Sequence, residues 1–170
     1  YWRDISTLKI PLVLIGSAPD ERTQKEYANS KYKNDIIFSS GLSDDMVKQA
    51  YQGASVFVFP SLAEGFGWPI AEAMACGCPV VTTNSAPMNE VGGEAAIYIE
   101  NVNKFDNLDS WAKSASNIIE SFLSKGEEEL KNVKQKGVEN ALRFDSTKTI
   151  AEINDIYTKV YNLKHGQHEN

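Results

Sequence analysis

The chain has 170 residues, of which 42% are hydrophobic and 24% charged, the mixture of a single domain large enough to bury a core. With 17 basic and 23 acidic side chains the net charge is -6, which argues against a surface that grips nucleic acid through its phosphates. No apolar run nears the roughly 20 residues that cross a bilayer. The opening Tyr1-Trp2-Arg3-Asp4 shows neither a secretory leader nor an initiator Met. A cytoplasmic piece of a longer protein is expected, with a peripheral contact to the inner membrane face left open. Cys76 and Cys78, two apart in an apolar stretch, read as reduced and structural; they cannot staple a distant loop or complete a four-ligand zinc site.

Five short apolar runs mark the first part of the chain: Leu12 to Ile15, Ile36 to Phe38, Val56 to Phe59, Val80 to Thr83 and Ala96 to Ile99. They are continuous rather than alternating, the pattern of strands covered on both faces. Between them, Glu21 to Lys31 reads as a polar helix, and Ser43-Asp44-Asp45 caps a second that reaches about Gln52. Pro69 to Ala75 reads as a third, with Pro69 at its first position. Strand and helix alternating at this spacing predict right-handed crossovers and a parallel sheet. After Glu100 the period changes. Leu108, Trp111, Ala112, Ala115, Ile118, Ile119, Phe122 and Leu123 recur at helical spacing, and so do Ile150, Ile153, Tyr157, Val160 and Tyr161. Gly126 breaks the helices between them, and both stripes are expected to pack onto the sheet. Residues 1–164 thus form one α/β domain, with 165–170 a frayed polar tail.

The chemistry concentrates in the strand-loop-helix-strand stretch from Val56 to Val81. In open parallel sheets ligands bind beyond the carboxyl ends of the strands, where this loop lies. Gly65 and Gly67 allow close backbone approach, and a helix start offers free N–H groups and a positive end, a site for an anion. Glu64 and Glu72 flank it. An ionised carboxylate only accepts hydrogen bonds, so it suits the paired hydroxyls of a sugar. Hydroxyls at both ends and phosphates in the middle is the layout of a nucleotide-sugar. From the residues alone the loop reads equally as an ordinary turn with a helix-capping glutamate. No Lys or Arg occurs between Lys48 and Lys104, and a helix end supplies only about half a unit charge. Cations for a diphosphate must come from outside this stretch: from Arg3, Lys9, a metal, or a segment beyond the chain, which is the favoured source.

The same residues resemble the retaining GT-B glycosyltransferases of family four. That family's C-terminal domain carries P-S-x-x-E-G-F-G-x-P-x-x-E-A-M-A-x-G-x-P-V-V. Here Pro60-Ser61, Glu64-Gly65-Phe66-Gly67, Pro69, Glu72-Ala73-Met74-Ala75, Gly77 and Pro79-Val80-Val81 stand in that register. The likeness continues through Glu90-Val91-Gly92-Gly93-Glu94-Ala95-Ala96, a strand ending at Gly16, Phe38 to Asp45, and Phe144-Asp145 before the last helix, so that it covers about Leu12 to Tyr161. Asn89, Trp68 and Ser146 depart from the common Pro, Leu and Trp.

The resemblance implies a Rossmann-like parallel sheet flanked by helices, the C-terminal half of a GT-B fold. It implies that Glu72 holds the ribose hydroxyls and that Glu64, the catalytic-site carboxylate, contacts the donor sugar without being a nucleophile. Backbone at Gly65, Phe66 and Gly67 would touch sugar and phosphates, Gly16 and Leu42 would line the nucleotide, and Glu90 would lie near the pocket in a structural role. The substrate is a UDP- or GDP-sugar, and no metal or other cofactor is implied. The family's first C-domain strand, the Arg and Lys after it, and the acceptor-binding N-terminal domain are not in this chain, so the fragment alone is expected to be inactive. Rival readings are a glycoside hydrolase using Glu64 and Glu72 and a non-catalytic nucleotide-sugar-binding module. A nicotinamide-binding domain is disfavoured, because no G-x-G-x-x-G follows the first strand.

Overall fold

A computed structural model describes residues 1–165. In chain order it contains α1 (Trp2–Ile5), β1 (Leu12–Ile15), α2 (Glu21–Asn29), β2 (Ile36–Ser39), α3 (Asp44–Gly53), β3 (Phe57–Phe59), α4 (Trp68–Ala75) and β4 (Val80–Thr83). It continues with α5 (Met88–Gly92), β5 (Ile97–Ile99), α6 (Leu108–Leu123), α7 (Glu127–Ala141) and α8 (Ser146–His165). Three helices begin where a side chain satisfies a free amide: Asp20 accepts from Thr23 N–H, Ser43 from Met46 N–H and Asn107 from Ser110 N–H. Among the described residues no helix is long and apolar enough to cross a membrane.

All five predicted strands form, and every pairing is parallel, but they make two sheets rather than one. β1 pairs with β2 from Leu12↔Ile36 to Ile15↔Ser39. β4 is the centre of the other sheet, with β3 on one side and β5 on the other. The difference shows in burial. Val80, Val81, Thr82 and Thr83 of β4 are at most 1% exposed, as a strand covered on both faces should be. The Thr82 hydroxyl donates to Phe59 O at 2.8 Å, tying β3 to β4 through a side chain. β1, equally apolar, is not covered: Leu12, Val13, Leu14 and Ile15 are 38–50% exposed. The expectation that all five runs are buried on both faces therefore holds in full only at β4: β1 is exposed throughout, Ile37 of β2 is 50% exposed, and β3 and β5 are mostly half-buried.

The core lies between the larger sheet and its helices. Ile70, Ala71, Ala73 and Met74 of α4 meet Met88 and Val91 around α5 and Val80 of β4. α7 lies across α4 at Gly137, where a Cβ would stand 3.5 Å from Met74 Cγ, an ordinary contact distance. On the opposite face α6 behaves as its stripe predicts. Ala115 is buried with Val81 and Ile99, and Trp111, Ile118 and Ile119 pack beside them; Leu108 alone is 56% exposed.

The stripe of α8 does not pack on either sheet. Ile150, Ile153, Tyr157, Val160 and Tyr161 are 47–71% exposed, and the helix buries no residue. Sequence periodicity identifies an apolar face but not what covers it. His165 belongs to α8 rather than to a tail, and the rest of the expected frayed segment, residues 166–170, lies outside the described residues. α4 begins at Trp68, so Pro69 is its second residue rather than its first.

Both cysteines are free thiols, Cys76 capping the end of α4 and Cys78 in the turn that leads to β4. Burial pushes the Cys78 thiol from 9.0 to about 11, and burial, with the Glu72 charge second, pushes the Tyr51 phenol from 10.0 to about 12. In each case the fold favours the neutral form, so the stabilisation is complete below the unfolded pKa and is lost as pH rises through the folded one. Stability to urea should therefore fall between pH 9 and 12. Thiol labelling across that range should modify half-buried Cys76 before fully buried Cys78. Equal labelling rates at neutral pH would contradict this packing.

Candidate functional site at the carboxyl ends of the strands

Parallel pairing puts the carboxyl end of every strand in a sheet on the same edge. On the larger sheet that edge carries the loop after β3, residues 60–67, beside the loop after β4, residues 84–87. Thr82 opposite Phe59 sets the register between them. Gly67 ends the first loop and caps α4 in the left-handed region, φ 97° and ψ 39°. Residues with a Cβ rarely adopt that conformation. The first backbone bond of α4 runs from Ile70 N–H to Gly67 O at 3.0 Å. The amide of Trp68, ahead of it, has no acceptor within the helix.

The expected residues fall as follows. Glu64 is exposed on the loop, and its carboxylate accepts a hydrogen bond from the Ser61 hydroxyl at 2.7 Å. Sequence reading noted Ser61 only as part of the motif. The structure gives it the task of steadying Glu64, since the same hydroxyl also reaches Ala63 O at 3.3 Å. Gly65 is exposed, Phe66 half-buried and Gly67 buried. Glu72 is exposed on α4, while its neighbours Ala71 and Ala73 are buried. Its charge helps to raise the pKa of Tyr51 in α3, after burial. Both glutamates thus stand at the surface, one before and one after the start of α4, and neither is sealed in the core.

Gly16 and Leu42 belong to the other sheet. Gly16 N–H donates to Ser39 O at 3.1 Å at the carboxyl ends of β1 and β2, and Leu42 is half-buried just before Ser43, the cap of α3. Glu90 is exposed in the first turn of α5, a helix that the run of residues 84–96 gave no periodic signal for. Ser85 Oγ and Asn89 Oδ1 nearby are buried without a partner.

Of the two basic residues named for a diphosphate, Arg3 is engaged elsewhere, whereas Lys9 is exposed and makes no ion pair among the described residues. Arg3 binds Asp35 Oδ2 at 2.6 Å and Leu8 O at 2.5 Å, and Lys104 is paired with Glu100. Among the described residues no cluster of His, Cys, Asp and Glu is set to hold a metal.

The chain resembles known proteins in sequence and in fold. The family described as "Glycosyl transferases group 1" matches residues 3–140. The O-antigen chain mannosyltransferase B of Escherichia coli is 42% identical over 65 residues, 38% of this chain and 17% of that protein. The O-antigen chain mannosyltransferase RfbU of Salmonella typhimurium is 32% identical over 95 residues, 56% of this chain and 26% of that protein. The chain therefore spans about a quarter or less of these relatives. Among solved structures, the pneumococcal O-GlcNAc transferase GtfA in complex with UDP and GlcNAc aligns over 89% of this chain and 29% of its own, with a TM-score of 0.74 and 18% identity. The sucrose-phosphate synthase of Thermosynechococcus elongatus aligns over 89% of this chain and 39% of its own, with a TM-score of 0.71 and 22% identity. The fold is that of the C-terminal part of a GT-B structure, and the chain belongs to the glycosyl transferases group 1 family.

Proposed function

We propose that this chain is the donor-binding half of a retaining glycosyltransferase that moves a hexose from a nucleoside diphosphate to a growing polysaccharide. The observation that supports it most is the loop of residues 60–67 closing on α4, with Glu64 and Glu72 exposed on either side inside a family match over residues 3–140. Glu72 would accept from the ribose hydroxyls and Glu64, steadied by Ser61, from the sugar hydroxyls. Backbone of Gly65, Phe66 and Gly67, the free Trp68 amide and the start of α4 would face sugar and phosphates. Gly16 and Leu42 would line the nucleotide. The mannosyltransferase names of the E. coli and Salmonella relatives favour a mannosyl donor, and the UDP in the GtfA complex shows a uridine carrier on a related fold.

As the sugar departs it gains positive character while the diphosphate gains negative charge. Amides aimed at the phosphates lower that barrier because they need no reorganisation. Arg3 is already paired and Lys9 precedes the amino end of β1, away from the carboxyl edges of the strands, so further cations would come from the remainder of the enzyme. Two features support such a remainder. The far edges of β1 and β3 are unpaired among the described residues, and one added strand between them would join the two sheets. The exposed apolar stripe of α8 suits a neighbouring acceptor-binding domain. The test is a panel of UDP- and GDP-hexoses offered to the full-length protein, with the anomeric configuration of the product read by NMR. Transfer with retention is expected. Hydrolysis of aryl glycosides without nucleotide, or donor binding without any transfer, would overturn the proposal.

A further inference from the structure

The donor loop has little to hold it. Leu62, Ala63, Glu64 and Gly65 are exposed, and the only side-chain bonds described within it are those of Ser61. Phe66 is the exception. It is half-buried and packs on the core cluster. Its ring tilts on Trp68 at 4.6 Å and meets Phe144 edge-on at 5.5 Å and 90°. Phe144 comes from the 3-10 turn Leu142–Phe144 that ends α7. That turn is itself pinned: the Arg143 guanidinium lies 5.2 Å from the centre of the Phe144 ring and donates to Asn140 Oδ1 at 2.8 Å. Asn140 Nδ2 donates in turn to Val91 O at 2.8 Å. A continuous set of contacts therefore runs from α5, through the end of α7, to the loop that carries Glu64.

We infer that Phe144 is a positioning residue for the donor site: its ring edge, held by Arg143, fixes Phe66 and through it the backbone that faces the sugar and phosphates. The inference rests on the donor-site reading above. Phe144 meets the Phe66 ring and not the backbone proposed to face the donor; it acts by removing freedom from the loop. A loop displaced by about an ångström loses much of its advantage in orienting a reactant.

The full-length enzyme with Phe144→Ala should show a donor KM raised about tenfold, the order expected for losing one edge-to-face pair and its packing. The acceptor KM should not change, and Phe144→Tyr should restore the donor KM. Amide exchange over residues 62–68 should quicken in Phe144→Ala, while that of Val80–Thr83 stays as it was. An unchanged donor KM, or exchange that quickens equally in loop and strand, would reduce Phe144 to a core residue and overturn the inference. A wild-type enzyme that uses no nucleotide-sugar would instead sink the donor-site reading itself, and this one with it.

Discussion

Glu72→Ala in the full-length enzyme should reduce sugar transfer by about 10²–10⁴-fold in kcat/KM and leave the domain folded. A carboxylate bridging two ribose hydroxyls makes two charge-assisted hydrogen bonds, each worth about 1.5–3 kcal/mol, and their loss appears directly in kcat/KM. The fold should not notice. The buried face of α4 is Ile70, Ala71, Ala73 and Met74, whereas Glu72 is exposed. Alanine is also the stronger helix former. Circular dichroism and the urea midpoint should match the wild type. One side effect follows from the Coulombic part of the Tyr51 shift: without the Glu72 charge the phenol should titrate somewhat lower, because only burial and the thiols remain to raise it. Glu72→Gln, which keeps the shape but not the charge, should fall between the two. Transfer within about tenfold of wild type in Glu72→Ala would remove the central residue of the proposed site.

Much of this arrangement is legible in the sequence because local rules decide it. Ser43 before two aspartates starts α3 at the expected residue, and the apolar run Val80–Thr83 becomes the buried central strand. The glycines of the Glu64 loop sit where a left-handed cap, Gly67, is needed. What the sequence hides are contacts between distant segments. Nothing in the spacing around Phe144 says that it meets Phe66, or that Asn140 reaches Val91. α5 is too short for a helical period, and nothing in the spacing around Gly137 of α7 says that it lies against Met74. The two stripes after Glu100 show the limit most clearly. They look alike as patterns, yet α6 is buried against β5 and α8 is covered by nothing described. An amphipathic period reports that a face needs cover, and the rest of the molecule decides where that cover comes from.

The split sheet supplies the second large effect. Amides of β1 and β3 in the isolated chain should exchange with solvent about 10²–10⁴ times faster than in the full-length protein. β1 presents Leu12, Val13, Leu14 and Ile15, each 38–50% exposed. Complete burial of such side chains is worth about 1.5–3 kcal/mol each, so covering the exposed half of four contributes roughly 3–6 kcal/mol. That is the free energy by which an added strand, together with the segments that would pack on the faces of the joined sheet, would suppress local opening. The same unpaired edge predicts concentration-dependent self-association of the isolated chain, since an apolar strand with free N–H and C=O groups is a template for another. β4 provides the internal control: its four residues are buried on both faces and flanked by β3 and β5, so its protection should barely differ between the two proteins. Equal protection of β1 in both would show that no strand closes the gap. The two sheets would then stand as separate units, and the cations that the donor diphosphate needs could not arrive on such a strand.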